Sequence, residues 1–227
     1  MEPTIQISNT KIKSEYKSLV KNSYEKALLY ESDISDWVLK INGMSGKKYR
    51  HFINNLIHNL EDARYLEVGC WKGSTACSAI SNNKVNAYLI DNWSEFGGPK
   101  NEFVANIERS TSEFSEIEAI FDEIDFRKVN YSEIGKYNVY LFDGPHGEQD
   151  QYDALKITQE ALDDEFIFIC DDWNWPFVRN GTNNCIKDLN LKKVYSIEIR
   201  TTDDDSCNSG FENSDWHNGY LICVLKK

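Results

Sequence analysis

Residues 65–74 read Tyr65-Leu66-Glu67-Val68-Gly69-Cys70-Trp71-Lys72-Gly73-Ser74, a short apolar run that ends on glycine and hands over to a helix start. Strand, glycine turn and helix N-terminus in that order bring free backbone N–H groups close to a ligand without obstruction by a Cβ. The glycines are spaced Gly-x-x-x-Gly, not G-x-G-x-x-G as in dinucleotide-binding enzymes. Three further apolar runs repeat the design: 86–91 (NAYLID), 137–143 (YNVYLFD) and 165–171 (EFIFICD) each close on aspartate. Near-continuous apolar strands of this kind belong to a parallel sheet covered on both faces. An acid at a single strand end is commonly a helix cap or a turn former. Four polar strand ends in succession instead mark the carboxyl edge at which open α/β sheets bind ligands.

Working outward, apolar residues recur at helical spacing over 14–30 (Tyr16, Leu19, Val20, Tyr24, Ala27, Leu28) and over 47–60 (Tyr49, Phe52, Ile53, Leu56, Ile57, Leu60). Residues 1–60 are therefore expected to form an N-terminal helical cap, and 61–227 the main domain. The pattern predicts a helix from 73 to 80, a polar helix over 101–121, a weaker strand over 124–129, and helices over 147–162 and 183–189. Strands follow at 194–201 and 220–225, separated only by the acidic, glycine-containing stretch 202–219. Two consecutive strands predict an antiparallel hairpin at one sheet edge.

The chain has 227 residues, with 25 Lys+Arg against 37 Asp+Glu and a formal charge of −12. So acidic a surface repels phosphate backbones and anionic membrane, which argues against nucleic acid and membrane as partners. No stretch approaches the ~20 apolar residues of a membrane span, and the N-terminal residues lack the apolar core of a secretion signal. A cytoplasmic location is expected. The six cysteines form no CxxC pair and share no ligand spacing with the four histidines, which argues against a disulfide framework or a structural zinc.

The strand ends supply the candidate chemistry. Asp91, followed by Asn92 and Trp93, is placed to accept hydrogen bonds from both hydroxyls of a ribose; an N-cap is the plain alternative. Asp143, Asp171 and Asp172 bring three carboxylates to one region, a costly arrangement unless protons or a cation neutralise them. Oxygen ligands of this kind suit Mg2+ or Ca2+ better than zinc. His146, in the turn Asp143-Gly144-Pro145-His146-Gly147, serves either as a general base or as a helix cap. Trp173, Trp175 and Arg179 follow the aspartate pair and are candidates to line an acceptor pocket. The stretch 42–47 is placed to close over a cofactor. The stretch 202–219, with Asp203 to Asp205, Phe211 and Trp216, is long enough to be a lid or binding loop. His51, His58 and His217 carry no functional signal.

Taken together, LEVGCWKGSTACSAI, YLIDNW, VYLFDGPHGEQDQYDAL and FIFICDDW resemble the class I S-adenosylmethionine (SAM)-dependent methyltransferases. The likeness is nearest to the metal-assisted small-molecule O-methyltransferases of the macrocin type, and it covers roughly residues 60–227. It implies an α/β, Rossmann-like, mostly parallel seven-stranded sheet with helices on both faces and an antiparallel terminal strand pair. By the family pattern Glu67, Gly69, Gly73 and Ser74 lie along the methionine part of SAM, and Asp91 holds the ribose. Asn130 and Tyr131 stand where relatives carry an acid near the adenine amine. Trp93 either stacks on adenine or packs in the core. The trio Asp143, Asp171 and Asp172 then holds a divalent metal, Mg2+ in expectation, that also binds the hydroxyl of a small-molecule acceptor. Homo-oligomerisation stays open. Two other classes compete: a nicotinamide-dependent oxidoreductase or epimerase, and a non-catalytic cofactor-binding scaffold.

Overall fold

The computed structural model describes residues 2–113, 117–208 and 214–227. Its centre is an eight-stranded sheet: β1 (Thr4–Asn9), β2 (Arg64–Val68), β3 (Val85–Asp91), β4 (Ile117–Glu123), β5 (Tyr137–Phe142), β6 (Leu162–Asp171), β7 (Lys192–Arg200) and β8 (Tyr220–Lys226). The strand order is β1-β7-β8-β6-β5-β2-β3-β4. Strands β2 to β6 pair in parallel, whereas β8 is antiparallel to both β6 and β7, and β1 is antiparallel to β7. The fold is thus α/β and Rossmann-like, with one strand more than expected.

Residues alternate between two cores, as the two-residue period of a strand requires. On one face Tyr65, Leu89, Leu141 and Ile169 meet α1 (Tyr16–Leu28), α2 (Asp36–Leu39), α3 (Lys47–His58), α4 (Ser74–Ile80) and α5 (Lys100–Glu113). On the other, Leu66, Ile90, Phe142 and Phe168 meet α6 (Glu148–Thr158) and α7 (Pro176–Asp188). The amino-terminal helices therefore share their core with the sheet: Tyr49 of α3 stacks on Tyr220 of β8 with ring centroids 4.1 Å apart.

Three expectations change. The terminal strands do pair antiparallel, but β8 lies inside the sheet between β6 and β7, and β1 forms the edge beyond them. Strand β1 carries no sequence signal because every one of its residues is exposed, Ile7 at 52%. The strand expected over 124–129 lies earlier, as β4, which takes 117–121 out of the expected helix. In β4 Ile117, Ala119 and Phe121 pack inward in strict alternation, but the outward Ile120 is apolar too, so the apolar–polar pattern of this other edge strand is blurred in the sequence. Finally, α7 starts at Pro176, seven residues before its expected start, with proline in the first turn where its missing N–H costs nothing. Among the described residues no helix is long and apolar enough to cross a membrane.

Candidate active site

The order β3-β2-β5-β6 sets the carboxyl ends of four neighbouring strands side by side. Val68 pairs with Ile90 on one side and Phe142 on the other, and Phe142 pairs with Cys170. The residues that follow, Asp91, Gly69, Asp143 and Asp171, therefore occupy one row. The chain reverses its direction of travel across the sheet between β2 and β5, the switch point where such folds leave a crevice. A cleft of about 420 Å³ opens there, lined by Gly69, Asp91, Asn92, Trp93, Asp143, His146, Asp171, Asp172 and Trp175 among others. That volume is in the range of small-molecule sites.

At the floor the backbone of Gly69 runs against β5. It has φ of +92°, and a Cβ there would lie 1.9 Å from the carbonyl oxygen of Asp143. Only glycine allows that approach. Asp91 organises the turn beyond it: Cys70 N–H and Trp71 N–H each donate to Oδ2 at 2.8 Å, and Trp93 N–H donates to Oδ1 at 2.6 Å. The carboxylate both borders the cleft and ties the two loops that frame it. Asn92 accepts from the Ser94 N–H and hydroxyl at 3.0 and 2.8 Å, making a turn at the rim.

Several residues expected at the ligand stand behind it. Glu67 shares the strand face of Tyr65, not that of the cleft, and is fully buried. It accepts from the Tyr65 hydroxyl at 2.7 Å and from the Thr75 hydroxyl, and burial pushes its carboxyl up to about 7 against those bonds. Gly73 and Ser74 begin α4 away from the cleft lining, and the Ser74 hydroxyl lies 3.3 Å from that of Ser45. Trp93 is 8% exposed and packs on Phe103 and Phe121, with its indole N–H donating to Trp71 O at 2.8 Å, so it is chiefly a core residue with one edge at the wall.

Asn130 and Tyr131 do not line the cleft: Tyr131 is buried with its hydroxyl donating to Phe126 O, and Asn130 accepts from Ser132. Because β4 ends seven residues before that point, the wall is made by Ile124, Asp125 and Phe126 instead. Asp125 caps the short 3₁₀ turn Phe126–Lys128 by accepting from Arg127 N–H.

The acidic half of the cleft lies across β5 and β6. Asp171 and Asp172 are buried, and His146 Nε2 is 2.8 Å from Asp172 Oδ2 and 3.9 Å from Asp143 Oδ1. Burial and the neighbouring Asp171 hold the Asp143 carboxyl well above the usual carboxylate range, although His146 pulls the other way. Burial opposes charge on the His146 ring too, yet Asp143 and Asp172 outweigh it and push the ring up to about 10. The two carboxylates thus favour the charged form of this ring over the free base. It becomes a base only where a cation takes up the charge of the two carboxylates.

The close group is not the expected trio. Asp171, Asp172 and His217 have ligand atoms all within 4.8 Å of one another, and Asp143 is outside that group. Strand β8 runs back beside β6 with Tyr220 opposite Asp171, which brings the turn before β8 to the same end of the sheet. No local pattern announces His217, because only the long return of β8 brings it here. The donor set suits a divalent cation, and Asp171 Oδ1 is buried without a hydrogen-bond partner among the described residues.

Of the acceptor candidates, Trp175 lines the cleft and meets His146 edge-on with ring centroids 5.3 Å apart. Trp173 does not: it is fully buried, with its indole N–H donating to Glu198. Arg179 braces the backbone instead, donating to the carbonyls of Trp173 and Asn174 and pairing with Asp205 at 2.7 Å. Met44 reaches the cleft from the stretch 42–47. That stretch is held by buried Arg50, which donates to Ser45 Oγ at 2.9 Å and Ile41 O at 2.9 Å. Cys207 and Asn208 reach the cleft from 202–219, whereas Phe211 falls outside the described residues.

No protein-family model matches the chain, and no curated protein matches it in sequence. Solved structures do match in fold. An O-methyltransferase from Bacillus cereus in complex with SAH is 12% identical and aligns over 96% of this chain and 94% of its own, with a TM-score of 0.54. The O-methyltransferase TomG of tomaymycin synthesis from Streptomyces achromogenes, in complex with SAM, is 9% identical over 95% of this chain and 100% of its own, with a TM-score of 0.57. A precorrin 8W decarboxylase from Methanobacterium thermoautotrophicum is 14% identical over 83% and 94%, with a TM-score of 0.52. The chain has the Rossmann-like fold found in SAM-dependent methyltransferases.

Proposed function

We propose that this protein is a SAM-dependent methyltransferase that acts on a hydroxyl of a small molecule, sugar-like or natural-product-like, with the help of a divalent cation. The observation that carries the proposal is the division of one cleft. On one side a glycine turn and Asp91 frame a place for a nucleoside, and on the other His146 and three aspartates frame a place for a hydroxyl and a cation.

Asp91 borders the cleft, and the one lone pair its three amide bonds leave unused would accept from a ribose hydroxyl, while those bonds hold the loop in place. When bound, a divalent cation supplies charge neutralisation and polarises an acceptor hydroxyl; Asp171, Asp172 and His217 are the residues that would hold it. His146, relieved of its anionic partners' pull, would take the hydroxyl proton at Nε2 while the oxygen bonds to the methyl carbon and the methyl–sulfur bond breaks, leaving SAH. Trp175 offers an aromatic face to a ring or sugar at the mouth.

The acid-rich lining supports a small acceptor over nucleic acid. The arginine of the lining, Arg127, is occupied by Asp150 at 2.5 Å and Asp153 at 3.0 Å, leaving little to attract a phosphate backbone.

The test is calorimetric titration with SAM and with NAD, each with and without divalent cation, followed by an acceptor screen for SAH release. SAM binding together with chelator-sensitive turnover is expected; binding of NAD in preference to SAM would replace the proposal with the oxidoreductase reading. SAM binding without SAH release from any hydroxyl acceptor would favour a scaffold.

A further inference from the structure

The acidic half of the cleft contains one residue that neither sequence pattern nor strand position explains. His217 sits in the turn before β8, only 8% exposed, with Nδ1 3.8 Å from Asp171 Oδ2. Its backbone is in the left-handed region (φ of 42°), as is that of Asp172 (φ of 56°), a conformation that non-glycine residues adopt only when their surroundings enforce it.

The enforcement is visible. His217 O accepts from the Thr201 hydroxyl and from Asn208 Nδ2, both at 3.0 Å, and Asn174 Nδ2 bonds Thr201 and Asn218 at 2.9 and 3.0 Å. Trp173 N–H and Asn174 N–H donate to Gly219 O and Asn218 O, at 3.2 and 3.0 Å. A side chain at Gly219 is excluded, because its Cβ would stand 2.5 Å from Ile199 O at φ of +88°. The turn bearing His217 is thereby bolted to the segment bearing Asp172.

We infer that His217 is a nitrogen ligand of the divalent cation and that the site selects a first-row transition ion such as Mn2+ over Mg2+. The inference rests on the cation-assisted reading above and refines it. Donor atoms around an ion with bonds of about 2.1 Å stand about 3 Å apart when adjacent and about 4.2 Å apart when opposite. The group formed by Asp171, Asp172 and His217 spans 4.8 Å at most, so small side-chain rotations suffice to close it. Asp171 Oδ1, buried and without a hydrogen-bond partner among the described residues, is the second sign of a ligand there. An all-carboxylate site would suit Mg2+, which prefers oxygen and keeps its waters. An imidazole in the set shifts the balance toward ions that bind nitrogen well. The Mg2+ expected from the aspartates alone is thus replaced by Mn2+ or a later neighbour in the row.

The experiment titrates the full chain, stripped with chelator, with MnCl2 and separately with MgCl2 by calorimetry, alongside pulsed electron paramagnetic resonance of bound Mn2+. In the wild type Mn2+ is expected to bind more tightly than Mg2+, and its echo to carry nitrogen-14 modulation from imidazole. His217→Asn is expected to weaken Mn2+ by at least about 10-fold, the scale on which even partners outside the ligand sphere act, while Mg2+ changes far less. Equal wild-type affinities, no binding of either ion, or unchanged Mn2+ affinity in the variant would overturn the inference. If His217→Asn does not fold, the spectrum of His146→Gln decides: modulation that persists belongs to His217, and its absence defeats the assignment. SAM titrated into the same samples separates the two levels, since SAM that fails to bind undoes the methyltransferase proposal whatever the metal does.

Discussion

The carboxylate of Asp91 stands 2.8 Å from the backbone nitrogen of Trp71, so the residue proposed to meet a ribose is also the one that shapes the turn beside it. Asp91→Asn keeps the volume but presents an amide N–H2 to backbone N–H groups on one side. Hydrogen bonds to a charged group contribute about 1.5–3 kcal/mol, and a loss of that size is expected in denaturant unfolding, together with weaker SAM binding by calorimetry. Unchanged stability would show that the turn is held by other contacts.

Glu67 makes stability depend on pH. Burial raises its carboxyl from 4.5 in the unfolded chain to about 7 in the fold. Its contribution is therefore complete below about pH 4.5 and is lost as pH rises through about 7, because the fold favours the protonated form. A tenfold change in proton affinity is worth about 1.4 kcal/mol, so up to about 3 kcal/mol of pH dependence is expected between about pH 5 and 8. Glu67→Gln, which keeps an acceptor for Thr75, should flatten the profile in that window. Parallel profiles for variant and wild type would show that Glu67 is not the source.

Arg50 is a buried guanidinium that donates to the hydroxyl of Ser45 and to the carbonyls of Leu39, Ile41 and Gly43. Each acceptor left unsatisfied by its removal costs about 1–3 kcal/mol. Arg50→Met strands the two buried acceptors, Ser45 Oγ and Ile41 O, and should lower stability by roughly 2–6 kcal/mol; because the same stretch carries Met44 into the cleft, it should weaken SAM binding as well. Normal SAM affinity in a destabilised but folded variant would separate the stretch 42–47 from the cofactor.

The aspartate cluster should show opposite signs with and without cation. Asp171→Asn removes a buried like charge, so the cation-free variant should be no less stable than wild type. A ligand at about 100 times its dissociation constant adds about 2.7 kcal/mol, and that gain should appear in the wild type on adding MnCl2 and vanish in the variant. Thermal unfolding with and without chelator measures both. A variant that still gains would remove Asp171 from the cation site.

How legible all this is from sequence depends on burial. Strands β2, β3, β5 and β6 announce themselves because both faces are covered, and their tips place Asp91, Asp143 and Asp171 where the pattern puts them. The two edge strands are hard to read for the opposite reason: β1 buries nothing, and β4 buries only alternate residues. Placing β4 seven residues late carries the expected adenine wall to Asn130 and away from Asp125. Glu67 belongs by strand parity to the face of Tyr65, which the family pattern alone does not reveal. Trp173 and Arg179 look like pocket residues by type, but neighbours distant in sequence, Glu198 and Asp205, claim them. His217 depends wholly on such distant neighbours.

Strand β8 slots between two strands that are both made before it. Strands β6 and β7 each pair with β8 and not with each other, so their facing backbone N–H and C=O groups are satisfied only when residues 220–226 fill the gap. The turn with His217 comes with that strand, so closing the sheet and completing the group of Asp171, Asp172 and His217 depend on the same segment.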